Sequence, residues 1–152
     1  MKKYIDFKND LDEKLNEELK KYCFYAFDQE QFDKGLTEIK TRIDMSKYNE
    51  TNKFNVLPTW SGAYVVADKM QDYKNAFIEY DKKLKTELEN YDFLVDAIIY
   101  EMGNHEYMYT MDDETVLLSL GYNFKDREEN TNLKNAWFDA KKQYFEYNAD
   151  NM

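Results

Sequence analysis

The sequence predicts a mainly α-helical protein: one compact domain of about six helices, with at most a short two-stranded β ribbon. Three observations predict it. The 152 residues include one proline and four glycines, too few for a loop-rich or low-complexity chain. Apolar residues return every three or four positions through most of the chain, the spacing of a helix face. The length suits a single hydrophobic core and is short for two domains of ordinary size.

Taken in order, residues 3–22 set Phe7, Leu11, Leu15 and Leu19 four apart, a narrow apolar stripe on an otherwise charged helix. Residues 23–27, Cys-Phe-Tyr-Ala-Phe, read as a short buried strand. Asp28 then reads as an N-cap, with Gln31 as the return half of a capping box. Phe32, Leu36, Ile39 and Ile43 mark the helix that follows. Gly35 inside it costs about 1 kcal/mol against alanine, which predicts a close contact at that point. Residues 44–61, polar around Pro58, read as the one long loop.

Residues 62–66 read as a second strand pairing with 23–27, or as the entry to the next helix. That helix, residues 67–89, carries Met70, Tyr73, Phe77, Tyr80, Leu84 and Leu88 on one face. Asn90-Tyr91 breaks it. Phe93, Leu94, Ala97, Ile98 and Met102 define another helix, for which Gly103 is the expected C-cap. A shorter one opens at residues 111–114, turns Val116, Leu117 and Leu120 inward and stops at Gly121. After a connection through Tyr122 and Phe124, the last helix covers 129–147 on Leu133, Trp137, Ala140 and Tyr144. Residues 148–152 are expected to fray. No linker divides residues 1–152.

Several classes are excluded by composition. With one cysteine, Cys23, and one histidine, His105, the chain has no internal disulfide and no conventional zinc ligand set. No cofactor motif is present, and no apolar run approaches the roughly 18 residues of a membrane span. The lysines at the N-terminus are not followed by an apolar stretch, so a cytoplasmic protein is expected. A net charge of −10 opposes direct binding to nucleic acid or to an anionic membrane.

That charge is local. Residues 91–120 carry seven acids and no lysine or arginine, while no other segment departs from neutrality by more than one charge. Asp92, Asp112, Asp113 and Glu114 stand where helix N-termini favour acids. Asp96, Glu101 and Glu106 would then lie on a solvated helix face. The missing bases have no such explanation. With Tyr107 and Tyr109 interleaved, the acids are candidates for a partner-binding surface that imitates a phosphate array. Trp60, in the long loop, is a further candidate as an anchor, or it closes the loop over the core. The other aromatic residues, Phe24, Tyr25, Phe27, Phe32, Phe77, Trp137 and Tyr144, are expected in the core. Glu101 and His105, four apart, suggest a carboxylate-backed general base, but a helix ending at Gly103 would separate them. No catalytic or metal residue is assigned on this basis.

Three passages carry a resemblance: Phe24 to Phe27 followed by Gln31-Phe32 and Gly35; Asn104-His105-Glu106-Tyr107; and Leu117 to Gly121 after its acidic opening. Together they resemble an uncharacterised family of small phage and mobile-element proteins of low-GC Gram-positive bacteria. In size and acidity the chain is similar to anti-CRISPR and anti-restriction proteins. The resemblance implies a non-catalytic inhibitor in the host cytoplasm. Its partner would be a basic nucleic-acid-binding defence enzyme, a CRISPR effector or restriction nuclease. The alternative is an accessory protein acting by helix packing or as a homodimer.

Overall fold

The helical periodicity carries through most of the chain. The computed structural model describes residues 3–150, with eight α-helices and three β-strands among them. They are α1 (Tyr4–Leu19), β1 (Cys23–Tyr25), α2 (Gln29–Arg42), β2 (Val56–Pro58), β3 (Ala63–Val66), α3 (Met70–Leu88), α4 (Tyr91–Asn104), α5 (Tyr107–Thr110), α6 (Asp113–Ser119), α7 (Phe124–Glu129) and α8 (Thr131–Asp150). The protein is mainly α, as expected, with two more helices and one more strand than the sequence suggests. No helix among the described residues is long and apolar enough to cross a membrane. The contacts divide the chain into two compact units, Leu11–Lys82 and the remainder, and the division falls within α1 and α3.

In the Leu11–Lys82 unit the expected ribbon forms, β1 against β3 antiparallel with Phe24 opposite Tyr64. The stretch expected to be loop adds a third strand: β2 pairs with the other edge of β3, Leu57 opposite Val65. Pro58 is tolerated there because β2 is an edge. The ladder bonds from Thr59 to Ala63 and from Ala67 to Asn55 put residues 55, 57 and 59 in the bonded positions. Position 58 therefore faces away from the ladder, where a missing N–H removes no bond. Residues 45–47 also form one 3₁₀ turn, capped by Asp44. Thus the 44–61 segment is only partly loop.

Phe24, Phe32 and Tyr64 form a ring cluster on this sheet, Phe24 stacked on Tyr64 at 5.5 Å. Leu19, Tyr22, Cys23, Ile39, Val65 and Val66 form the buried core of this unit, and of the three rings Phe24 packs against it. Burial holds the Cys23 thiol up to about 11, so it is an unreactive core group. Tyr25 and Phe27 do not join them: both are exposed. The strand stops after Tyr25, and Asp28 caps α2 by accepting from the Gln31 N–H at 2.7 Å. Gln31 returns the bond one residue earlier than a standard box, to the Phe27 N–H at 2.8 Å.

In the other unit α4 is the centre. Phe93, Leu94, Val95, Ala97, Ile98, Glu101 and Met102 are all buried, so it is covered on most of its circumference. Its main partner is α8, whose Leu133, Trp137, Ala140 and Tyr144 form the predicted stripe, with Ala136 buried beside them. Gly103 does not end α4; the helix runs through Asn104 and His105 is its C-cap. The stop at Gly121 is as expected. The Gly121 N–H bonds Leu118 and the Tyr122 N–H bonds Leu117, the paired C-terminal bonds that a left-handed glycine allows. The expected connection through Phe124 is instead α7, opened by a capping box between Asn123 and Asp126. Finally, α8 extends to Asp150, so 148–150 are helical, and 151–152 lie outside the described residues.

Two glycines give opposite predictions. A Cβ on Gly35 would sit 2.2 Å from the Phe24 ring, which the neighbouring aromatics hold in place. Overpacking of about 1–3 kcal/mol outweighs a helix-propensity gain of about 1 kcal/mol, so Gly35→Ala should lower stability. A Cβ on Gly103 meets nothing within 4 Å. Gly103→Ala should therefore raise stability by about 0.5–1 kcal/mol. Urea midpoints of the two variants check both signs.

Candidate functional site

The acid-rich segment begins on α4, and its first four acids meet different fates. Asp92 is exposed in the first turn; the cap itself is Asn90, which accepts from the Phe93 N–H at 3.0 Å. Asp96 is half-buried and accepts from the Tyr4 N–H at 2.8 Å. That N–H is one of the orphan donors at the start of α1, so Asp96 caps a helix distant in sequence. Glu101 is 1% exposed. Its carboxylate accepts from the Tyr4 hydroxyl at 2.9 Å and the Asn104 amide at 3.3 Å. Asp96 and Glu101 are therefore not the solvated face expected of them. Glu106 is exposed.

Beyond Asn104 the backbone does something costly. Glu106 and Met111 both adopt left-handed φ, 52° and 50°, on either side of the single turn α5. Each such non-glycine residue costs about 1–2 kcal/mol. The turn is held by Tyr107, which is buried against Trp137, Tyr144 and Phe145. The Tyr107 hydroxyl donates to Asp113, and the Met108 N–H donates to the Tyr144 hydroxyl at 3.0 Å. Asp113 also receives the Arg127 guanidinium at 2.8 Å, and Arg127 lies over the Phe124 and Trp137 rings. Asp112 caps α6 through the Thr115 N–H at 3.1 Å. Bonds from the Thr115 hydroxyl and N–H hold the Asp112 carboxyl below its ordinary range, with a smaller contribution from His105.

The predicted site residues thus fall into two sets. Asp96, Glu101, Tyr107 and Asp113 are structural groups: Glu101 and Tyr107 are buried, and Asp96 and Asp113 are half-buried and bonded within the fold. Asp92, Glu106, Tyr109, Asp112 and Glu114 face outward. Asp92 stands at the far end of α4 from Glu106, about 20 Å away for a helix of 14 residues. What remains together is the turn from Glu106 to Glu114, where Tyr109 is 84% and Met111 51% exposed. Trp60 belongs to the other unit and stands 98% exposed at the tip of the hairpin between β2 and β3. It does not close a loop over the core. Reading the sequence alone misses Tyr4 and Arg127, which answer the structural acids; nothing near either residue in the chain signals those partners.

Because α4 passes through Gly103, Glu101 and His105 do share a face. His105 Nε2 is 3.2 Å from a Glu101 oxygen, but the ring is not turned to hydrogen-bond it, and Nε2 is buried without a hydrogen-bond partner. Among the described residues the His105 side chain bonds no hydroxyl or thiol, and no group of three or more His, Cys, Asp or Glu is placed to hold a metal ion.

Residues 7–143 match DUF7659, a family of unknown function. The chain belongs to that family. No curated protein and no solved structure matches it. The DUF7659 match includes α4, the acidic turn and the hairpin of the other unit, so each of these features lies within the span that defines the family.

Tyr107 ties the turn to pH. Burial and the bond to Asp113 raise its phenol above the ordinary value of 10.0. Burial similarly raises Tyr22 to about 12. A folded-state pKa above the unfolded one gives stability that is fully present below pH about 10 and is lost as pH rises through the folded value. Tyr107→Phe should cost about 0.5–1.5 kcal/mol near neutrality and make the loss above pH 10 shallower, without abolishing it. Urea midpoints between neutrality and pH about 11 test this.

Proposed function

We propose that the protein acts by binding a basic protein surface through the turn from Glu106 to Glu114. The observation that carries this is the pairing of strain with exposure. Two left-handed residues flank a turn anchored by buried Tyr107, and the outcome is that Tyr109 and Met111 project beside Glu106, Asp112 and Glu114. No lysine or arginine of residues 91–120 neutralises those three carboxylates. An apolar anchor ringed by like charge suits a partner with Arg and Lys around a groove, the surface that a nucleic-acid-binding enzyme uses for phosphates. A defence nuclease of a bacterial host is the partner the resemblance implies. The imitation would be of a short phosphate step, because the acids of α4 are not part of the face.

The test is a combined variant, Glu106→Lys with Asp112→Asn and Glu114→Lys, in which Asn keeps the α6 cap. Partners captured from host lysate by the wild type should bind the variant about 10–100-fold more weakly, at an unchanged melting temperature. Wild-type complexes should also weaken about tenfold or more between 0.05 and 0.5 M salt. Equal capture by the variant, or a complex indifferent to salt, removes the reading.

A second reading rests on the Glu101–His105 pair. The buried Glu101 carboxylate lies 3.2 Å from the partly exposed His105 imidazole, and a turn of the ring to bond it would give a carboxylate-backed general base. Full biological effect in His105→Ala would eliminate it.

A further inference from the structure

We propose that the Leu11–Lys82 unit carries a separate docking site for an arginine-bearing segment of a protein partner. Its elements are the exposed rings of Phe27 and Trp60 and the carboxylates of Asp28 and Glu30. Phe27 is 79% exposed, yet it is not loose. Its N–H is bonded to the Gln31 side chain, and its ring rests on Gly62, where an added Cβ would come within 2.6 Å of it. Gly62 has φ 84°, a left-handed turn position, and closes the hairpin whose tip is Trp60. That turn is itself fixed by the Thr59 N–H and hydroxyl, both bonded to the Ala63 carbonyl. Two large rings are thus presented to solvent by bonded backbone. Single exposed apolar residues need no explanation, but a group of them does.

Charge chooses the occupant. Beside Phe27 opens a cleft of about 400 Å³ lined by Ala26, Phe27, Asp28, Gln29, Phe32 and Tyr64. One Asp28 oxygen accepts from Gln31, while the other makes no hydrogen bond among the described residues, and Glu30 makes none. The free end of α2 contributes roughly +0.5 of a charge, which two full carboxylates outweigh. No lysine or arginine among the described residues lies over Phe27 or Trp60. A guanidinium is the group that stacks flat on a ring and meets a carboxylate with two bonds; an ammonium does only the second, and only as a point charge. Arg127 shows the pattern within this chain, lying over Trp137 while bonded to Asp113. The overall charge of −10 adds long-range attraction for a basic segment.

The experiment titrates the full-length protein with a glycine–arginine hexapeptide and with its uncharged citrulline counterpart, following tryptophan emission and amide NMR shifts. Trp137 is buried, so emission changes report Trp60. The arginine peptide should bind about tenfold more tightly than the citrulline one and shift the amides of residues 26–30 and 60–62. Trp60→Ala, at a fully exposed position, should weaken binding about fivefold or more at an unchanged melting temperature. Asp28→Asn with Glu30→Gln should remove the preference for arginine over citrulline. Equal binding of both peptides, no binding of either, or affinity undiminished in Trp60→Ala would overturn the proposal. The Glu106→Lys, Glu114→Lys variant should keep the peptide; if it loses it, the peptide belongs to the acidic turn and this site is refuted.

Discussion

A carboxylate enclosed in an apolar core has to be matched, and Glu101 imposes that demand on the unit built around α4. Left without partners, a buried carboxylate costs several kcal/mol, a large share of a domain's net stability. Tyr4 meets the demand with its hydroxyl, and Asn104 adds its amide. Tyr4 in turn is fixed at its other end, where its N–H donates to Asp96. The start of α1 is therefore held by two acids of one helix, one at the backbone and one at the side-chain tip. That pair of bonds fixes the first turn of α1 on α4 more specifically than the ring contacts of Tyr4 and Phe7 with Phe93 would, because hydrogen bonds constrain direction and dispersion does not.

The same demand changes the meaning of the missing bases. A run of seven acids without a lysine looks like a surface signature, yet four of the residues first grouped as that surface, Asp96, Glu101, Tyr107 and Asp113, are buried or half-buried and bonded within the fold. Their compensation comes from hydroxyls and N–H groups of Tyr4, Tyr107 and Asn104, and from one cation, Arg127, that sits beyond the segment. A lysine on α4 would have had to leave a helix that is buried over most of its circumference. Part of the charge bias is thus a property of a buried helix, and only the turn after it carries the bias to solvent.

This separates what the sequence makes legible from what it does not. Periodicity located α4 and α8 and named most of their buried residues, because α8 buries a face of ordinary width and the wider burial of α4 includes such a face; it left out Val95 and Glu101. Local capping chemistry was equally legible at Asp28 and Gly121. Gly103 misled because a glycine is tolerated within the last turn of a helix, and nothing local distinguishes that from a C-cap when its φ is unknown. β2 was hidden because an edge strand of three residues needs only one partner and tolerates Pro58. α7 lacks an apolar stripe and is announced only by Asn123 and Asp126. The partners of the structural acids are 97 residues away for Glu101 and 14 for Asp113, so local patterns could not reveal them.

Left-handed backbone coincides with exposed large apolar side chains at two places in the chain. Glu106 and Met111 take left-handed backbone on either side of α5, and Tyr109 and Met111 project from that turn. Gly62 takes left-handed backbone at the base of the hairpin that carries Trp60, with Phe27 laid over it. A strained or turn-restricted backbone persists only when its surroundings over-determine it. Here the surroundings are specific: the buried Tyr107 ring with its bond to Asp113 in one case, the Thr59 bonds to Ala63 in the other. An exposed ring on a loose loop would lose conformational freedom on meeting any partner, whereas a ring set on fixed backbone has already lost it in folding. Both features are therefore preorganised, which distinguishes them from Leu118 or Phe138, exposed singly on regular helices.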